Sequence, residues 1–325
     1  MKLPRREFLH LATGAAALPA LPRIAKAQAY PSRPVRLIVA YTAGATNDTL
    51  GRLLGQWLSE RLGQPFVVEN RPGGGTNIAT EAVIRSPPDG YTLLLSGPAN
   101  AINATLYEKL NFNFIRDTTP VAGLMRIPNV MVVHPSFSAK DVLQFVAHAK
   151  SNPGKVNMAS AGIGSATHLA GELFQLMTGA KMIHVPYRGG TQVYTDLLGG
   201  QVQVFFAVLS GAVEFIRTGK LRALGVTTAA RADALPNVPA LGEIVAGYEA
   251  SSFFGISGPR GMAADIVSKL NSEINAALVD DKFKERLADL GGTPLVTSAQ
   301  EFGNVVSGET EKWANVVKFA GLKPE

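Results

Sequence analysis

Two stretches of this chain place small residues where an apolar run gives way to a helical pattern, and the chemistry such a place offers is the holding of an anion. The first is AYTAGATND, residues 40–48, and the second is AGIGSATHL, residues 161–169. A helix start exposes several N–H donors and a partial positive charge, so a carboxylate can be held there without any cation. In the first stretch the small side chains leave the amides of Gly44, Ala45, Thr46 and Asn47 accessible, while Thr46 or Asp48 can cap the helix that follows. In the second, donors are expected from residues 164–167, with the hydroxyls of Ser165 and Thr167 added, and His168 stands one turn in. A plainer reading, that Asp48 and Ser165 are caps and nothing more, stays open for each loop taken alone.

Other chemistries fit less well. AGIGSAT begins like a dinucleotide fingerprint, but Thr167 occupies the third glycine position and no acid ends the next strand to hold a ribose. RPGGGTN, residues 71–77, lacks the Gly-Lys-Ser/Thr end of a P-loop; its glycines serve a flexible turn or a binding role equally well. No serine sits in Gly-x-Ser-x-Gly: Ser160, Ser165 and Ser96 have Met158, Ile163 and Leu94 two residues before them. His134, His148, His168 and His184 show no metal-ligand spacing, and with no cysteine in the chain thiolate sites and disulfides are excluded. No cofactor, metal or catalytic residue is therefore expected.

The first 29 residues form an export signal: a basic start, a short apolar middle broken by Pro19 and Pro22, and small residues at Ala27 and Ala29. Arg5, Arg6, Glu7, Phe8 and Leu9 follow the twin-arginine order, so a periplasmic location is expected after cleavage near Ala29. This segment carries +4 of the chain's formal +6 and leaves the mature protein near +2. A charge that small, with no basic cluster, does not suggest nucleic acid.

The elements that must position the two loops are legible in the remaining chain. Strands are predicted at 35–40, 66–69, 91–96, 130–134, 156–160, 182–185, 202–208 and 221–227, separated by amphipathic helices. The clearest helix carries Leu50, Leu53, Leu54, Trp57, Leu58 and Leu62 and is closed by Gly63 and Pro65. This rhythm argues for an α/β protein with parallel sheets and helices on both faces. After Gly261 the pattern turns helical, at 263–279, 281–290 and 298–319, the last opening with Ser298 and Glu301 as a capping box. The strand-loop-helix units at 37–54 and 156–174 resemble each other, as two doubly wound domains opening loops toward one cleft would.

Seven ordered motifs carry a resemblance over essentially the whole mature chain: AYTAGATND, VVENRPGGGTN, SPPDGYTLLL, NMASAGIGSATHLAGELF, HVPYRGGTQVYTDLLGGQV, GKLRALGVTTAAR and LPNVPALGE. Together they resemble the Bug-type periplasmic receptors of tripartite tricarboxylate transporters. The resemblance implies a two-lobed clamshell of the type II-like periplasmic-binding-protein class, doubly wound, with chain crossovers at the hinge. It implies a first lobe from residues 30–124 plus 226–325 and a second from 125–225. The implied partners are a small organic carboxylate (di-, tri- or aromatic) and membrane transporter subunits, with the receptor itself a monomer. Ligand contacts carried over by position are Thr42, Ala43, Gly44, Ala45, Thr46, Asn47 and Asp48 on one side and Ser160, Gly164, Ser165, Thr167 and His168 on the other. Gly97, Asn100, Tyr187, Arg188, Gly189 and Ala207 would line the remaining walls. Where the family often has an aspartate near the end of VQVFFAV this chain has Ala207, which disfavours an amine-bearing ligand and favours a diacid or aromatic carboxylate. Two other readings share the loops: an envelope enzyme using them as an oxyanion hole, and a receptor feeding a membrane sensor.

Overall fold

The structure is a computed structural model that describes residues 30–107, 109–187 and 190–323; the export-type segment, Arg188 and Gly189 lie outside the described residues. In chain order the strands are β1 (Val35–Val39), β2 (Phe66–Asn70), β3 (Thr92–Ser96), β4 (Thr118–Ile127), β5 (Asn129–Val133), β6 (Asn157–Ser160), β7 (Ile183–Pro186), β8 (Val204–Val208), β9 (Arg222–Val226), β10 (Ser252–Pro259) and β11 (Thr293–Pro294). The helices are α1 (Thr46–Leu62), α2 (Asn77–Ile84), α3 (Pro98–Leu106), α4 (Phe114–Asp117), α5 (Val142–Ser151), α6 (Ala166–Thr178), α7 (Gly190–Leu198), α8 (Leu209–Arg217), α9 (Ala264–Val279), α10 (Asp281–Asp289) and α11 (Ala299–Ala320).

The strands form two sheets, one ordered β11-β4-β10-β3-β1-β2 and the other β7-β6-β8-β5-β9. The chain leaves the first sheet after Ile127, crosses at Pro128 into β5, and returns at Ser252. In the first sheet β1 runs parallel to β2 and β3, with Val35 opposite Phe66 and Arg36 opposite Thr92. Their following loops therefore leave from one edge. In the second sheet β6 is parallel to β7 and β8 and sends out its own loop in the same manner.

The sheets are mixed rather than parallel throughout, which corrects the expectation from the strand-helix rhythm. β10 lies antiparallel to β3 and β4, and β5 lies antiparallel to β8 and β9. Each reversed strand sits next to a crossing between the sheets, where the chain enters a sheet without the helix that a parallel connection requires. β4 and β10 were not read from the sequence because Pro120, Gly123 and Gly255 interrupt their apolar runs. The two glycines have a packing reason. A Cβ on Gly255 would lie 2.2 Å from the Phe302 ring, and one on Gly123 would lie 2.5 Å from the Leu295 carbonyl.

α1 ends where Gly63, at φ 70°, donates its N–H to the Ser59 carbonyl. α11 opens with the expected capping box: Ser298 Oγ accepts from the Glu301 N–H, and Glu301 Oε2 accepts from the Ser298 N–H. α11 packs on α3 and β4 of the first sheet and on α6 of the second. Its Phe302, Trp313 and Val316 join one continuous core with Ile38 and Leu94 on one side and Met131 and Phe206 on the other.

Candidate functional site

A cavity of about 440 Å³ lies where the loops of the two sheets face each other. The first sheet contributes Ala40, Tyr41 and Thr42 after β1, the turn from Pro72 to Thr76 after β2, and Ala99, Asn103, Leu106 and Tyr107 on or beside α3. The second contributes the β6–α6 loop from Ala161 to Ser165. Concavities of about 510 and 540 Å³ open elsewhere, beside Arg52 and Arg286 and beside Asn271 and Ser298. Neither has a lining residue from the second sheet or its helices, so neither lies between the two sheets.

Among the described residues no Lys, Arg, His, Asp or Glu lines the cavity. Of those residues, an anion entering it meets only amides, hydroxyls, a carboxamide and apolar surface.

The first loop is held in shape by Asp48. The expected cap at Thr46 or Asp48 is replaced by a different device: Ala45 is the N-cap residue and has no side-chain bond, while Asp48, in the first turn, reaches back to accept the Gly44 N–H at 2.9 Å. Arg52 donates to both Asp48 oxygens, at 3.0 and 2.9 Å, and Asn70 Nδ2 donates to Asp48 Oδ1 and to the Tyr41 carbonyl, each at 2.9 Å. The Arg52 guanidinium, helped by the Gly44 amide and Asn70, holds the Asp48 carboxyl down to about 2 against the opposing effect of burial. Asp48 is 4 % exposed and outside the cavity lining, so its carboxylate faces its own loop. Gly44 and Ala45, expected to present open amides, donate within the loop, Ala45 to the Thr42 carbonyl at 3.3 Å. Those of Thr46, Asn47 and Asp48 precede the first intrahelical bond, from Thr49 to Ala45, and have no protein acceptor among the described residues.

The second loop is closed by neutral groups. Ser165 is the N-cap of α6; its Oγ accepts the His168 N–H at 3.2 Å and donates to the Gly162 carbonyl at 2.7 Å. Thr167 Oγ1 accepts the Ala161 N–H at 2.9 Å, and Ser160 Oγ accepts the Gly162 N–H at 3.1 Å. The Gly164 N–H donates to His168 Nδ1 at 3.1 Å, which places the His168 proton on Nε2, 3.4 Å from Glu172 Oε1. His184 stacks on His168 with ring centres 3.5 Å apart and puts Nε2 2.6 Å from Ser160 Oγ. Burial, and then the neighbouring His168, push the His184 imidazole down to about 4. Ile163, Ala166 and Thr167 keep amides without a protein acceptor among the described residues.

Of the residues singled out from the sequence, the cavity brings together Thr42, Gly164 and Ser165. Ser160, Thr167 and His168 lie buried beneath the second loop and shape it. Ala43 and the residues from Gly44 to Asp48 flank the cavity without lining it. Gly97 and Asn100 hold the start of α3: the Gly97 N–H donates to Asn100 Oδ1 at 2.9 Å and Asn100 Nδ2 donates to Thr80 Oγ1 at 2.8 Å. Tyr187 donates its hydroxyl to Asp196 at 2.6 Å and is not a cavity residue, and burial, then Asp196, push its hydroxyl up to about 12. Ala207 is fully buried in the apolar cluster of the second sheet, opposite Val130, so it forms no wall of the cavity.

Sequence reasoning missed the wall built by Gly73, Gly75 and Thr76 with Asn103 and Tyr107. Two signals were present: the glycine run that spacing left undecided, and a polar Asn103 and Tyr107 four residues apart, on one face of an otherwise apolar helix end.

Residues 50–322 match the family described as TctC, the tripartite tricarboxylate transporter family receptor. The chain is 36 % identical to Protein BugT of Bordetella pertussis over 302 residues, which cover 91 % of this chain and 92 % of BugT. Among solved structures, R. palustris Rpa4515 with adipate superposes with a TM-score of 0.76 at 35 % identity, covering 91 % of this chain and all of that one. MatC from Rhodopseudomonas palustris with bound malate gives a TM-score of 0.71 at 29 % identity, covering 89 % of this chain and all of that one. The family match spans most of the chain and the relatives are aligned nearly end to end, so this protein belongs to the TctC family of tripartite tricarboxylate transporter receptors.

Proposed function

We propose that the protein is a periplasmic receptor that captures a small organic carboxylate between two lobes and hands it to the membrane subunits of a tripartite tricarboxylate-type transporter. The observation that carries this reading is the cavity between the loops of both sheets, lined among the described residues by uncharged groups and flanked by the first turns of α1 and α6. Each lobe offers part of a donor set, so an open form binds weakly on either side and a closed form satisfies the ligand from both. The proposed lobes are residues 30–124 with 226–325 and residues 125–225; the sheets exchange the chain near these bounds, at Pro128 and after Val226, where β9 ends. Adipate and malate in the two structural relatives support a small organic carboxylate as the ligand, and the di-, tri- and aromatic carboxylates expected from the sequence are the candidates.

A receptor rather than an enzyme is supported by the state of its nucleophiles. Ser160 and His184 lie at 2.6 Å in a dyad-like pair, but Ser160 is 0 % exposed and also accepts from the Gly162 amide. His168 is 1 % exposed and its Nδ1 already accepts from Gly164. Neither group can reach a bound molecule.

The test is a thermal-shift screen against adipate, malate, citrate and benzoate, with each acid recovered and analysed afterwards. A ligand at a hundredfold excess over its Kd adds about 2.7 kcal/mol of stability. The expected result is a raised Tm with at least one acid, returned unchanged. No shift with any of them, or conversion of the acid, overturns the reading.

A further inference from the structure

The cavity has one polar corner that the loop amides do not account for, and it converges on Gly75. Asn103 is 4 % exposed and donates both N–H bonds of its carboxamide, to the Gly75 carbonyl at 2.6 Å and to Asn77 Oδ1 at 2.9 Å. A carbonyl can only accept, so the orientation of this amide is fixed, and the atom left over is the acceptor Oδ1. It has no donor among the described residues. Tyr107 lays its hydroxyl on the same turn, 2.6 Å from where a Cβ on Gly75 would stand, and that hydroxyl likewise has no protein partner among the described residues. Thr76, next in the chain, is 6 % exposed, with a buried Oγ1 that lacks a partner. It also holds φ at 82°, a conformation that β-branched side chains rarely adopt. Asn103, Tyr107 and Thr76 all line the cavity.

We infer that Asn103 and Tyr107, backed by Thr76, form a specificity wall that takes a hydroxyl group on the ligand, making the preferred substrate a hydroxy-bearing carboxylate. The inference rests on the receptor reading of the same cavity and goes beyond it in naming the second functional group. An unpaired acceptor rejects a second carboxylate oxygen, since two acceptors share no proton. The unpaired Tyr107 hydroxyl on the same turn offers a donor, and Thr76 Oγ1 lies buried behind it. On a small carboxylate ligand, a hydroxyl is a group that can both donate to Oδ1 and accept from a hydroxyl. An ammonium group would satisfy Oδ1 too, but among the described residues no Asp or Glu lines the cavity to balance its charge. A ligand without the hydroxyl leaves desolvated polar atoms unpaired and is disfavoured on that account.

Calorimetry on the mature chain with matched pairs of acids tests this: malate with succinate, 2-hydroxyadipate with adipate, and 4-hydroxybenzoate with benzoate. In any pair that binds, the hydroxy acid should bind roughly tenfold to a hundredfold tighter. Asn103→Leu should abolish that ratio. Because Asn103 also braces the Gly75 turn, Tyr107→Phe is the companion variant; it keeps the ring in place and should cut the ratio by roughly fivefold with Tm unchanged. Equal binding within every pair, or a preference that survives both variants, overturns the wall. Neutral polyols bound in an Asn103-dependent way, with every acid silent, would overturn the carboxylate reading and leave the wall standing. Silence from every acid and polyol overturns both.

Discussion

The β1–α1 and β6–α6 loops perform the same task by opposite electrostatics. Both turn a strand into a helix beside the cavity, and both must keep small residues in a shape that leaves helix-start amides free. The first is tied by an ionised carboxylate, Asp48, with Arg52, Asn70 and the Gly44 amide as its donors. The second is tied by Ser165, Thr167 and a neutral His168, stacked on His184. A buried carboxylate beside a site for carboxylates would repel the ligand if it stood alone. Saturating it with donors and aiming it into its own loop removes that conflict, while the second loop avoids it by carrying no charge. Sequence likeness between the two units thus conceals a difference in how each answers to acid.

Asp48→Ala should break the comparison most severely. It strips the acceptor from the Gly44 amide and from Asn70, and a loss of about 3 kcal/mol in urea unfolding is expected, with weakened ligand binding and a fold that survives. A loss below about 1 kcal/mol would mean that the loop holds itself without the carboxylate.

Acid should separate the two loops next. His184 titrates near 6.5 when unfolded and near 4 when folded, so between those values the unfolded chain takes up a proton that the folded chain refuses. Its contribution is full above about 6.5 and declines as pH falls toward about 4. For Asp48 the corresponding values are 3.8 and about 2, so the first loop keeps its contribution down to about 3.8 and loses it only below. Amide hydrogen exchange at pH 7 and pH 4.5, corrected for intrinsic rates, should loosen Gly164 and leave Gly44 protected, and His184→Gln should erase the difference. Equal loosening of both glycines would remove the electrostatic distinction.

Ser165→Ala should cost about 1 kcal/mol, the usual loss for a helix cap, and lower ligand affinity through disorder in the second loop. Arg52→Gln should cost least, less than the loss of the serine cap, because the arginine side chain is half exposed and water replaces it. An Arg52 effect as large as that of Asp48 would mean that the ion pair, rather than the Gly44 and Asn70 bonds, organises the first loop.

Much of the fold was legible. Apolar runs alternating with amphipathic helices settled neither strand directions nor strand partners, but they did locate the strands that carry both loops and the long helices α1 and α11. Strand direction escaped because a run buried on both faces, as in β5 and β10, reads the same whether its neighbours are parallel or antiparallel. The two loops were legible because a helix start needs small and capping residues. Which amides remain free was not, because Asp48 reaches back four residues to Gly44 and Gly164 is engaged by a histidine one turn ahead. The wall around Gly75 joins a turn after β2 to the end of α3, and no local spacing announces that meeting.

Trp313 sits in the core that α11 shares between the two sheets, and its buried Nε1 has no hydrogen-bond partner. The chain's other tryptophan, Trp57, lies on α1 at the far side of the first lobe, with Nε1 bonded to the Glu273 carbonyl. In the lobe closure proposed above, rotation would change the surroundings of Trp313, whose core spans both sheets, and leave those of Trp57 alone. The protein therefore carries a native fluorophore at its pivot and a second one as an internal standard, so closure can be followed by emission without attaching a dye.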